Sequence, residues 1–372
     1  MSHETHSDPY LRYYPAIEQP RPDEAEMIRA IVASVERTSA TTFATYKHGL
    51  RQQHAKGVGY LRGELTVYED LPSHLRQGLF AQPTRYPVIV RFSTALGAIK
   101  SDRIRVPRGF AIKVLGVSGA KALADDDTTS QDLLLVNHPS YIADARSYLE
   151  AQRKFERTKS LPDLAVRAVG LVSRVLLELS TLVRLPLPII IKALGDPGHH
   201  ILGETFHTEG AIRFGDFVAR LRAVPVSPAL RRLTGQPSHD GDDVVRQSVV
   251  SFFRTEPAEY ELQAQLCTDL RHTPIEDSSI DWPEDFAPPQ PIANIRLPAQ
   301  VADSPARRAY VDDVLSFDPW RCLAAHQPLG SVMRMRRDVY RTSRVLRQQQ
   351  NAALGLAPPN PTEPRDIAEL PD

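Results

Sequence analysis

Four polar residues near the C-terminal end of the chain have the spacing of one face of a helix. In "SVMRMRRDVYRTSRVLRQQQN" they are Arg336, Tyr340, Arg344 and Arg347, at intervals of four, four and three residues. An apolar seam beside this stripe indicates that it lies at the edge of a buried surface. The spacing fits a solvated basic face that includes a tyrosine, and it also fits a chemical site.

The chemical alternative rests on the arginine one helical turn before the tyrosine. A nearby cation lowers the pKa of a phenol, which is ordinarily near 10, so Arg336 can hold Tyr340 as the phenolate. Phenolate is a known ligand of haem iron. The stripe therefore predicts either an iron ligand or an exposed polar face, and the spacing alone does not separate the two.

A second candidate site lies in "RQQHAKGVGYLRGELTVYED", where Arg51 precedes His54 by three positions. The three glycines after His54 resemble a dinucleotide-binding fingerprint, which requires a helix to follow them. Alternating apolar and polar residues follow instead, and this period of two predicts an antiparallel strand. The pattern excludes a dinucleotide loop and places His54 in a loop that enters a strand.

The stretch "YPVIVRFST" carries polar side chains on one of its faces. Ile89, Arg91 and Ser93 share that face because side chains alternate along a strand. Arg91 therefore contacts either solvent or an anion. Exposed arginines on strands are common, so this stretch alone favours solvent.

The elements that position these residues follow from periodicity. A helix is predicted for about residues 23–46, then four strands before about 137, a helical block over about 142–195, and a long helix over about 330–350. Strands grouped early in the chain predict the α+β class with a barrel or sheet. We expect an N-terminal arm at 1–22, one domain at 23–352 and a proline-rich, flexible tail at 353–372.

Part of the helical block, residues 161–194, is rich in apolar residues. Charged residues interrupt it too often for a membrane-spanning helix. We interpret it as core-packing helices or an oligomer contact, in preference to an apolar lid or a peripheral membrane contact.

Composition narrows the function classes. The formal net charge is +0 and the pI is about 7.2, so no overall field attracts nucleic acid. Two cysteines, Cys267 and Cys322, argue against a disulfide framework, and the first residues lack an apolar signal core, which predicts a cytoplasmic protein. His200, Glu204 and His207 would cluster around a metal only on a helix, and their neighbours favour a loop or strand.

Four stretches together resemble the haem catalases. They are "RQQHAKGVGYLRGELTVYEDLP", "YPVIVRFSTALGAIKSDRIRVPRGFAIKVLGV", "QDLLLVNHPSY" and the arginine four residues before a tyrosine. Their order and spacing match over about residues 40–350, with specific motifs in the N-terminal half and a match by length alone over about 142–300. The chain is shorter than typical catalases and is similar to the compact catalase-like haem peroxidases, a group related to allene oxide synthases.

The resemblance implies catalytic roles for residues of both candidate sites. His54 matches the distal histidine, and Ser93 matches its hydrogen-bond partner. Tyr340 matches the proximal ligand of the haem iron, and Arg336 matches the arginine that stabilises its phenolate.

The resemblance also implies how the cofactor is held. Arg51, Arg91 and Arg347 match the arginines that bind the haem propionates, and Arg344 lies in the same helical stripe. Tyr141 falls where the family stacks an aromatic ring on the haem.

Two positions depart from the family pattern. An adjacent asparagine pair in the family is replaced by Val136 and Asn137, so Asn137 supplies the distal amide only if the strand shifts. Gln53 stands where catalases place an apolar residue against the haem. A polar group at that position predicts poor dismutation of hydrogen peroxide.

The function implied is a haem b peroxidase that reduces hydrogen peroxide or organic hydroperoxides through an oxyferryl intermediate, with an electron donor as partner. The implied fold is a closed antiparallel barrel of about eight strands, with the haem between the barrel and the last helix. The alternatives are rearrangement of a fatty-acid hydroperoxide and a non-enzymatic haem-binding protein. We further expect a homodimer or another homo-oligomer that binds no nucleic acid.

Overall fold

The chain folds as an antiparallel β-barrel with helices packed on its outer surface. The computed structural model describes residues 9–138, 142–158, 163–183, 191 and 195–372. Within these residues the strands are β1 Lys56–Val67, β2 Arg85–Thr94, β3 Arg108–Leu115, β4 Ser130–Val136, β5 Phe206–Thr208, β6 Ile212–Phe214, β7 Phe217–Pro225, β8 Ala258–Leu266 and β9 Pro289–Leu297.

Eight of these strands close the barrel. Neighbouring strands run in the order β1, β2, β3, β4, β5, β7, β8 and β9, and β9 pairs with β1. Strand β6 extends the sheet as a partner of β7. All the pairings are antiparallel, so the predicted α+β fold with a closed barrel of about eight strands is confirmed.

The alternation of side chains along β2 separates the core from the site. Phe92 points into the barrel and stacks on Phe110 of β3, with ring centroids 4.7 Å apart. Arg91 and Ser93 have the opposite parity and lie on the outer face. Ser93 lies opposite Gly109 of β3 in the register of the sheet. The outer face of the first strands therefore carries the polar residues of the candidate site.

The helices lie outside the barrel, and the last one is central to the site. Those in the described residues are α1 Glu24–Tyr46, α2 Ala145–Thr158, α3 Asp163–Val183, α4 Pro228–Arg231, α5 Val244–Phe253, α6 Pro305–Ala309 and α7 Ser331–Ala353. Ile31 of α1 and Leu149 of α2 pack with Met335 and Val339 of α7 in a separate apolar cluster. This contact fixes the rotation of α7 and with it the orientation of the polar stripe.

The start of α7 depends on a glycine. Gly330 precedes the helix with φ 88°, and a Cβ at this position would lie 2.2 Å from the carbonyl oxygen of Ile275. Both the backbone conformation and the close approach therefore require glycine. The helix begins at a fixed point against the loop that contains Ile275.

The two chain ends are packed on the barrel. At the N-terminal end, the Leu11 N–H donates to the Cys267 carbonyl at 2.8 Å. At the C-terminal end, Glu363 lies 2.8 Å from Lys113 Nζ, and Leu370 is fully buried. The segment 353–372 differs in this respect from the flexible tail expected from its prolines, because its acidic and apolar residues find partners on the barrel.

Helix α3 does not serve mainly as core. Six of its large apolar side chains are exposed, which differs from the core-packing interpretation of residues 161–194, while the alternative of an oligomer contact stays a prediction. In the part of the chain that the structure describes, no helix is long and apolar enough to cross a bilayer.

Candidate active site

His54 is held in an unusual backbone conformation where the loop enters β1. Its φ is 54°, in the left-handed region that a residue with a side chain seldom adopts. Its N–H donates to the Ala95 carbonyl at 3.2 Å, and its own carbonyl accepts from Arg91 Nη2 at 2.8 Å. Strained conformations of this kind concentrate at functional sites, where the surrounding structure maintains them.

The imidazole of His54 packs over β2 and β3. Its Nδ1 lies 3.0 Å from Ser93 Oγ. Gly109 makes this contact possible, because a Cβ there would lie 2.6 Å from Nδ1 of His54 and 2.8 Å from Ser93 Oγ. His54 and Ser93, which the resemblance to catalases pairs, are thus in contact, and Gly109 is the residue that makes room for them.

The surroundings of His54 keep its imidazole neutral. Burial is the first cause that lowers its pKa to about 3, and the positive charges of Arg91 and Arg336 lower it further. Arg91 belongs to the barrel and Arg336 to α7, so the two sides of the candidate site lie close enough to act on the same ring. The imidazole is therefore uncharged at ordinary pH, and one of its nitrogens carries a free lone pair.

Three arginines converge on the turn that follows α6. Arg51, Arg91 and Arg347 contact a π-helical turn at Tyr310–Val314. The carboxylate Oδ1 of Asp312 accepts from Arg91 Nε at 2.9 Å and from Arg51 Nη1 at 3.0 Å. Arg347 Nη1 donates to the Asp312 carbonyl at 2.7 Å. We call these four residues the arginine cluster.

The arginine cluster carries more positive than negative charge. Burial lowers the pKa of Arg51 well below its usual value, and repulsion from Arg91 and Arg347 lowers it further. Burial likewise lowers the pKa of Arg347 to about 10. Burial alone would raise the pKa of Asp312, but Arg91 and Arg51 bring it below its usual value. The cluster itself thus has three guanidinium groups and one carboxylate, and Asp313 and Glu363 lie near enough to Arg347 to act on its pKa.

Tyr340 on α7 contacts its arginine as the spacing predicted. Arg336 Nη2 donates to the Tyr340 hydroxyl at 2.7 Å, and its Nη1 lies 2.9 Å from Oε2 of Glu209. Burial raises the pKa of Tyr340, Arg336 lowers it, and Glu209 raises it, so the net direction is upward. Arg336 alone therefore does not hold the phenolate, which requires the charge of a bound cation in addition.

Arg344 has a buried nitrogen without a partner. Its Nε is buried and forms no hydrogen bond among the described residues, although Arg344 lies near enough to lower the pKa of Asp318. An orphaned guanidinium donor beside the arginine cluster is consistent with an anionic ligand. Tyr141, the expected aromatic neighbour of the haem, lies outside the described residues.

The sequence and the fold of this chain are similar to those of known proteins. Residues 33–142 match the family model described as catalase. Among solved structures, a bacterial catalase matches with a TM-score of 0.53 at 14% identity, covering 92% of this chain and 63% of that chain. No curated protein sequence matches the chain.

Residues 33–142 therefore resemble the catalase family in sequence, and the chain as a whole has a catalase-like fold. The family match includes His54, Arg91, Ser93 and Asn137, and the structural match extends the fold over nearly the whole chain. This catalase-like chain spans less than two thirds of the bacterial catalase that it resembles. The common fold accounts for the position of α7 against the outer face of the barrel.

Asn137 does not reach His54 in this catalase-like fold. Its Oδ1 accepts from the Arg108 N–H at 2.8 Å, and its Nδ2 donates to Asp196 Oδ2 at 3.3 Å. Strands β3 and β4 pair without a register shift, so Val136 stands opposite Gly109. Val136, and not Asn137, therefore shares the sheet face that carries Ser93.

Gln53 points away from the imidazole that follows it. The residue is exposed, and its Nε2 forms a short hydrogen bond with the hydroxyl of Tyr148 on α2. Burial, and then the charge of Glu209, raises the pKa of Tyr148, so its hydroxyl stays protonated. Gln53 thus connects the loop of His54 to α2, which is a role that its position in the sequence did not indicate.

The site residues can be compared with haem, the cofactor that the resemblance to catalases implies. Haem carries two carboxylates, and the arginine cluster holds three guanidinium groups and one carboxylate. Tyr340 has an arginine partner, and that arginine lies near enough to His54 to lower the pKa of its imidazole. The donor set, with the orphaned Nε of Arg344, is therefore appropriate to a haem group.

Sequence patterns did not reveal the residues that organise the site from a distance. Asp312 lies 221 positions from Arg91, and it appears in the sequence only as half of an acidic pair. The Tyr60 hydroxyl donates to Asp312 Oδ2 at 2.5 Å, but in the sequence pattern Tyr60 does not differ from the other residues of its strand. His200 and His207 are ordinary in placement, since His200 precedes a short 3-10 turn and His207 lies on β5.

Proposed function

We propose that the chain binds haem b between the outer face of β1–β4 and α7, and reduces hydrogen peroxide or an organic hydroperoxide with electrons from a donor. The observation that carries the proposal is the pairing of Tyr340 with Arg336 on α7, near enough to the neutral His54 to alter its pKa. The catalase-like superfamily supports an oxidoreductase of this kind.

The arginine cluster would bind the two propionates. Arg51 and Arg91 are fixed by Asp312, and Arg347 is fixed by backbone carbonyls of the same turn. Fixed guanidinium groups form strong charge-assisted hydrogen bonds with carboxylates. Because burial and mutual repulsion lower the pKa of Arg51 and Arg347, two anionic groups would stabilise the protonated arginines.

His54 would move the proton. We assign the tautomer in which Nδ1–H donates to Ser93 Oγ, because it leaves the lone pair of Nε2 free to accept a proton from the peroxide. Protonated His54 can then return that proton to the departing oxygen. The backbone contacts of His54 with Ala95 and Arg91 hold the ring in place during this transfer.

Haem, when bound, would supply the redox chemistry that cleaves the peroxide O–O bond, and Tyr340 would be the residue that holds its iron. Arg336 would stabilise the negative charge on the Tyr340 oxygen through its 2.7 Å hydrogen bond. Glu209 holds the other nitrogen of Arg336 and so fixes its orientation.

We place the chain with the compact catalase-like peroxidases rather than with efficient catalases. Val136 replaces the distal asparagine on the sheet face of Ser93. A peroxide would therefore meet fewer orienting contacts on this side. Rearrangement of a lipid hydroperoxide has no support from α3, because its apolar residues are exposed and do not enclose a channel.

The test combines two variants and a matched control. Tyr340→Phe should remove the phenolate signature from the absorption spectrum and weaken haem retention. His54→Ala should retain haem and lower the rate of peroxide reduction by about 10² to 10⁴. Tyr68→Phe, a half-buried tyrosine that contacts Glu261 elsewhere, should change neither property.

Three results would contradict the proposal in different ways. An unchanged spectrum in Tyr340→Phe would remove the axial assignment. Haem loss in His54→Ala would make that residue structural. Full haem content with no turnover of hydrogen peroxide, organic hydroperoxide or donor would leave a haem-binding protein without this activity.

A further inference from the structure

Tyr60 lies beside the arginine cluster on the outer face of the barrel. In the register of the sheet it stands opposite Arg91, so the two side chains are neighbours on the adjacent strands β1 and β2. Both side chains reach the same carboxylate. The Tyr60 hydroxyl donates to Oδ2 of Asp312 at 2.5 Å, and Arg91 Nε donates to Oδ1 at 2.9 Å. The two oxygens of Asp312 are therefore divided between the tyrosine and the arginines.

A glycine makes room for the Tyr60 hydroxyl. Strand β1 has an irregularity between Gly57 and Gly59, where its register against β2 shifts. A Cβ at position 57 would lie 2.3 Å from the Tyr60 hydroxyl oxygen and 2.8 Å from its Cζ. Any larger residue than Gly57 would therefore displace the hydroxyl from Asp312.

The rest of Tyr60 is fixed against the turn that carries Asp312. Its carbonyl accepts from Arg307 Nη1 at 3.0 Å, and its ring is fully buried. The ring packs in one apolar cluster with Val311 and Leu315. Val311 directly precedes Asp312, and Leu315 follows the π-helical turn. Tyr60 thus contacts this turn through both its ring and its hydroxyl.

Tyr60 acts on Asp312 as a hydrogen-bond donor. Burial, and then the charge of Asp312, raises the pKa of Tyr60 above its usual value, so the phenol keeps its proton. Burial would raise the pKa of Asp312, but Arg91, Arg51 and the bond from Tyr60 lower it, so the carboxyl group is ionised. A hydrogen bond to an ionised acceptor is stronger than one between neutral groups. Three donors therefore hold this carboxylate in one orientation.

The orientation of Asp312 determines where two guanidinium groups of the arginine cluster point. Its Oδ1 accepts from both Arg51 Nη1 and Arg91 Nε. Without the bond from Tyr60, Oδ2 would be free to turn toward the same two arginines. A carboxylate that pairs with them through both oxygens competes with any other anion for their N–H groups. The bond from Tyr60 keeps Oδ2 away from the arginines and preserves their capacity for a second anion.

We infer that Tyr60 is a positioning residue for the arginine cluster, and that through Asp312 it orients Arg51 and Arg91 to bind the haem propionates. The inference rests on the proposed function, because the anion in question is supplied by the cofactor. Tyr60 acts only through Asp312, and no direct contact with the cofactor is required.

Tyr60→Phe tests the inference, because it removes the hydroxyl and keeps the ring. Titration of the haem-free protein with haem should show binding weakened about tenfold, as expected for the loss of one hydrogen bond to a charged group. In the haem-free protein, NMR of the arginine side chains should show faster exchange of the Arg91 Nε–H with solvent, since its acceptor is no longer fixed.

Tyr260→Phe is the matched control. Tyr260 is as fully buried as Tyr60, but it belongs to the core inside the barrel, where its hydroxyl donates to the Leu202 carbonyl at 2.7 Å. Each substitution removes one buried hydroxyl and should lower the urea midpoint. Only Tyr60→Phe should change the haem affinity and the exchange of the Arg91 Nε–H.

Three results would overturn the inference. The first is an unchanged haem affinity in Tyr60→Phe. The second is equal weakening in Tyr260→Phe, which would trace the effect to a general loss of stability. The third is unchanged exchange of the Arg91 Nε–H in Tyr60→Phe, which would show that Tyr60 does not position the arginines. If the native chain took up no haem, the proposed function would fail, and the exchange measurement would still decide the positioning role.

Discussion

Two clusters of buried charged side chains lie on the outer face of the barrel, and they differ in the ratio of positive to negative charge. In the first, which we call the balanced cluster, Lys113 and Arg321 each contact both Asp132 and Glu363 at 2.7 to 2.9 Å. Two positive charges meet two negative charges. In the arginine cluster, Arg51 and Arg91 share the carboxylate of Asp312, and Arg347 donates to the backbone carbonyl of the same residue.

The pKa shifts show that the charged form of Glu363 is stabilised in the balanced cluster, whereas the charged forms of two arginines are destabilised in the arginine cluster. In the balanced cluster Lys113 and Arg321 overcome the effect of burial and lower the pKa of Glu363 to about 2, so its charged form is stabilised. In the arginine cluster burial and repulsion lower the pKa of Arg51 and Arg347, so their charged forms are destabilised. The first cluster is complete by itself. In the second, an added anion would stabilise the protonated arginines, and this is why we propose it as the binding site for the haem propionates.

The largest expected effect is on folding, at Glu363. Glu363→Gln leaves Lys113 and Arg321 with a single carboxylate in a buried position, and breaking a buried ion pair of this kind costs about 3 kcal/mol or more. Urea denaturation at neutral pH should show that loss. Glu256→Gln, an exposed glutamate, is the control and should not change the midpoint. An unchanged midpoint for Glu363→Gln would mean that the docked C-terminal segment does not stabilise the barrel.

The pH dependence of stability sharpens this assignment. The pKa of Glu363 is about 2 in the folded protein, whereas the ordinary pKa of a glutamate is 4.5. The stability that ionised Glu363 adds is therefore fully present above pH 4.5, and it is lost as the pH falls toward 2. The lost contribution is about 3 kcal/mol. Denaturation measured from pH 7 to pH 3 should show the native chain and Glu363→Gln converging in acid. A difference that stays constant would remove Glu363 as its source.

A smaller effect is expected on haem affinity, at Arg347. Arg347→Gln should weaken haem binding about tenfold to hundredfold, because a hydrogen bond to a charged group contributes about 1.5–3 kcal/mol. Arg341→Gln, on the exposed side of the same helix, is the control. Titration of the haem-free protein measures both. If Glu363→Gln weakened haem binding as much as Arg347→Gln, the distinction between the clusters would fail.

The smallest effect is expected at Gln53, whose side chain bonds to Tyr148 and joins neither cluster. Gln53→Val should free the loop of His54 from α2 and raise oxygen release from hydrogen peroxide about severalfold, while the haem spectrum stays nearly unaltered. Oxygen evolution at equal haem content measures the change. The same substitution in the His54→Ala background should give no gain, since the gain depends on the imidazole. A loss of activity would show that the contact with Tyr148 supports turnover.

Local periodicity in the sequence predicted many of the helices and strands and some of the contacts in the candidate site. The alternation around Arg91 and Ser93 predicted their shared strand face, and the intervals between Arg336 and Tyr340 predicted their contact. Such predictions succeed because neighbours at two or four positions meet within one strand or helix, whatever the rest of the chain does. The spacing of the motifs gave the resemblance to catalases, and that resemblance gave His54 as a candidate.

The sequence could not supply contacts between residues that are distant along the chain. The carboxylate of Asp312 reaches Arg91 across 221 positions, and Gly109 makes room for His54 only because β2 and β3 pair in one register. Glu363 sits in a proline-rich segment whose composition indicates flexibility, yet it is held by Lys113 and Arg321. Each of these contacts depends on closure of the barrel.

By itself, the sequence determined the chemical types of the site residues and their local faces. Only the tertiary structure decided that Val136 rather than Asn137 shares the face of Ser93, that six large apolar residues of α3 are exposed, and that the arginine cluster has three guanidinium groups for one carboxylate. The physical reason is that side-chain type and periodicity are local properties, whereas burial and charge balance depend on which distant segments the folded chain brings together.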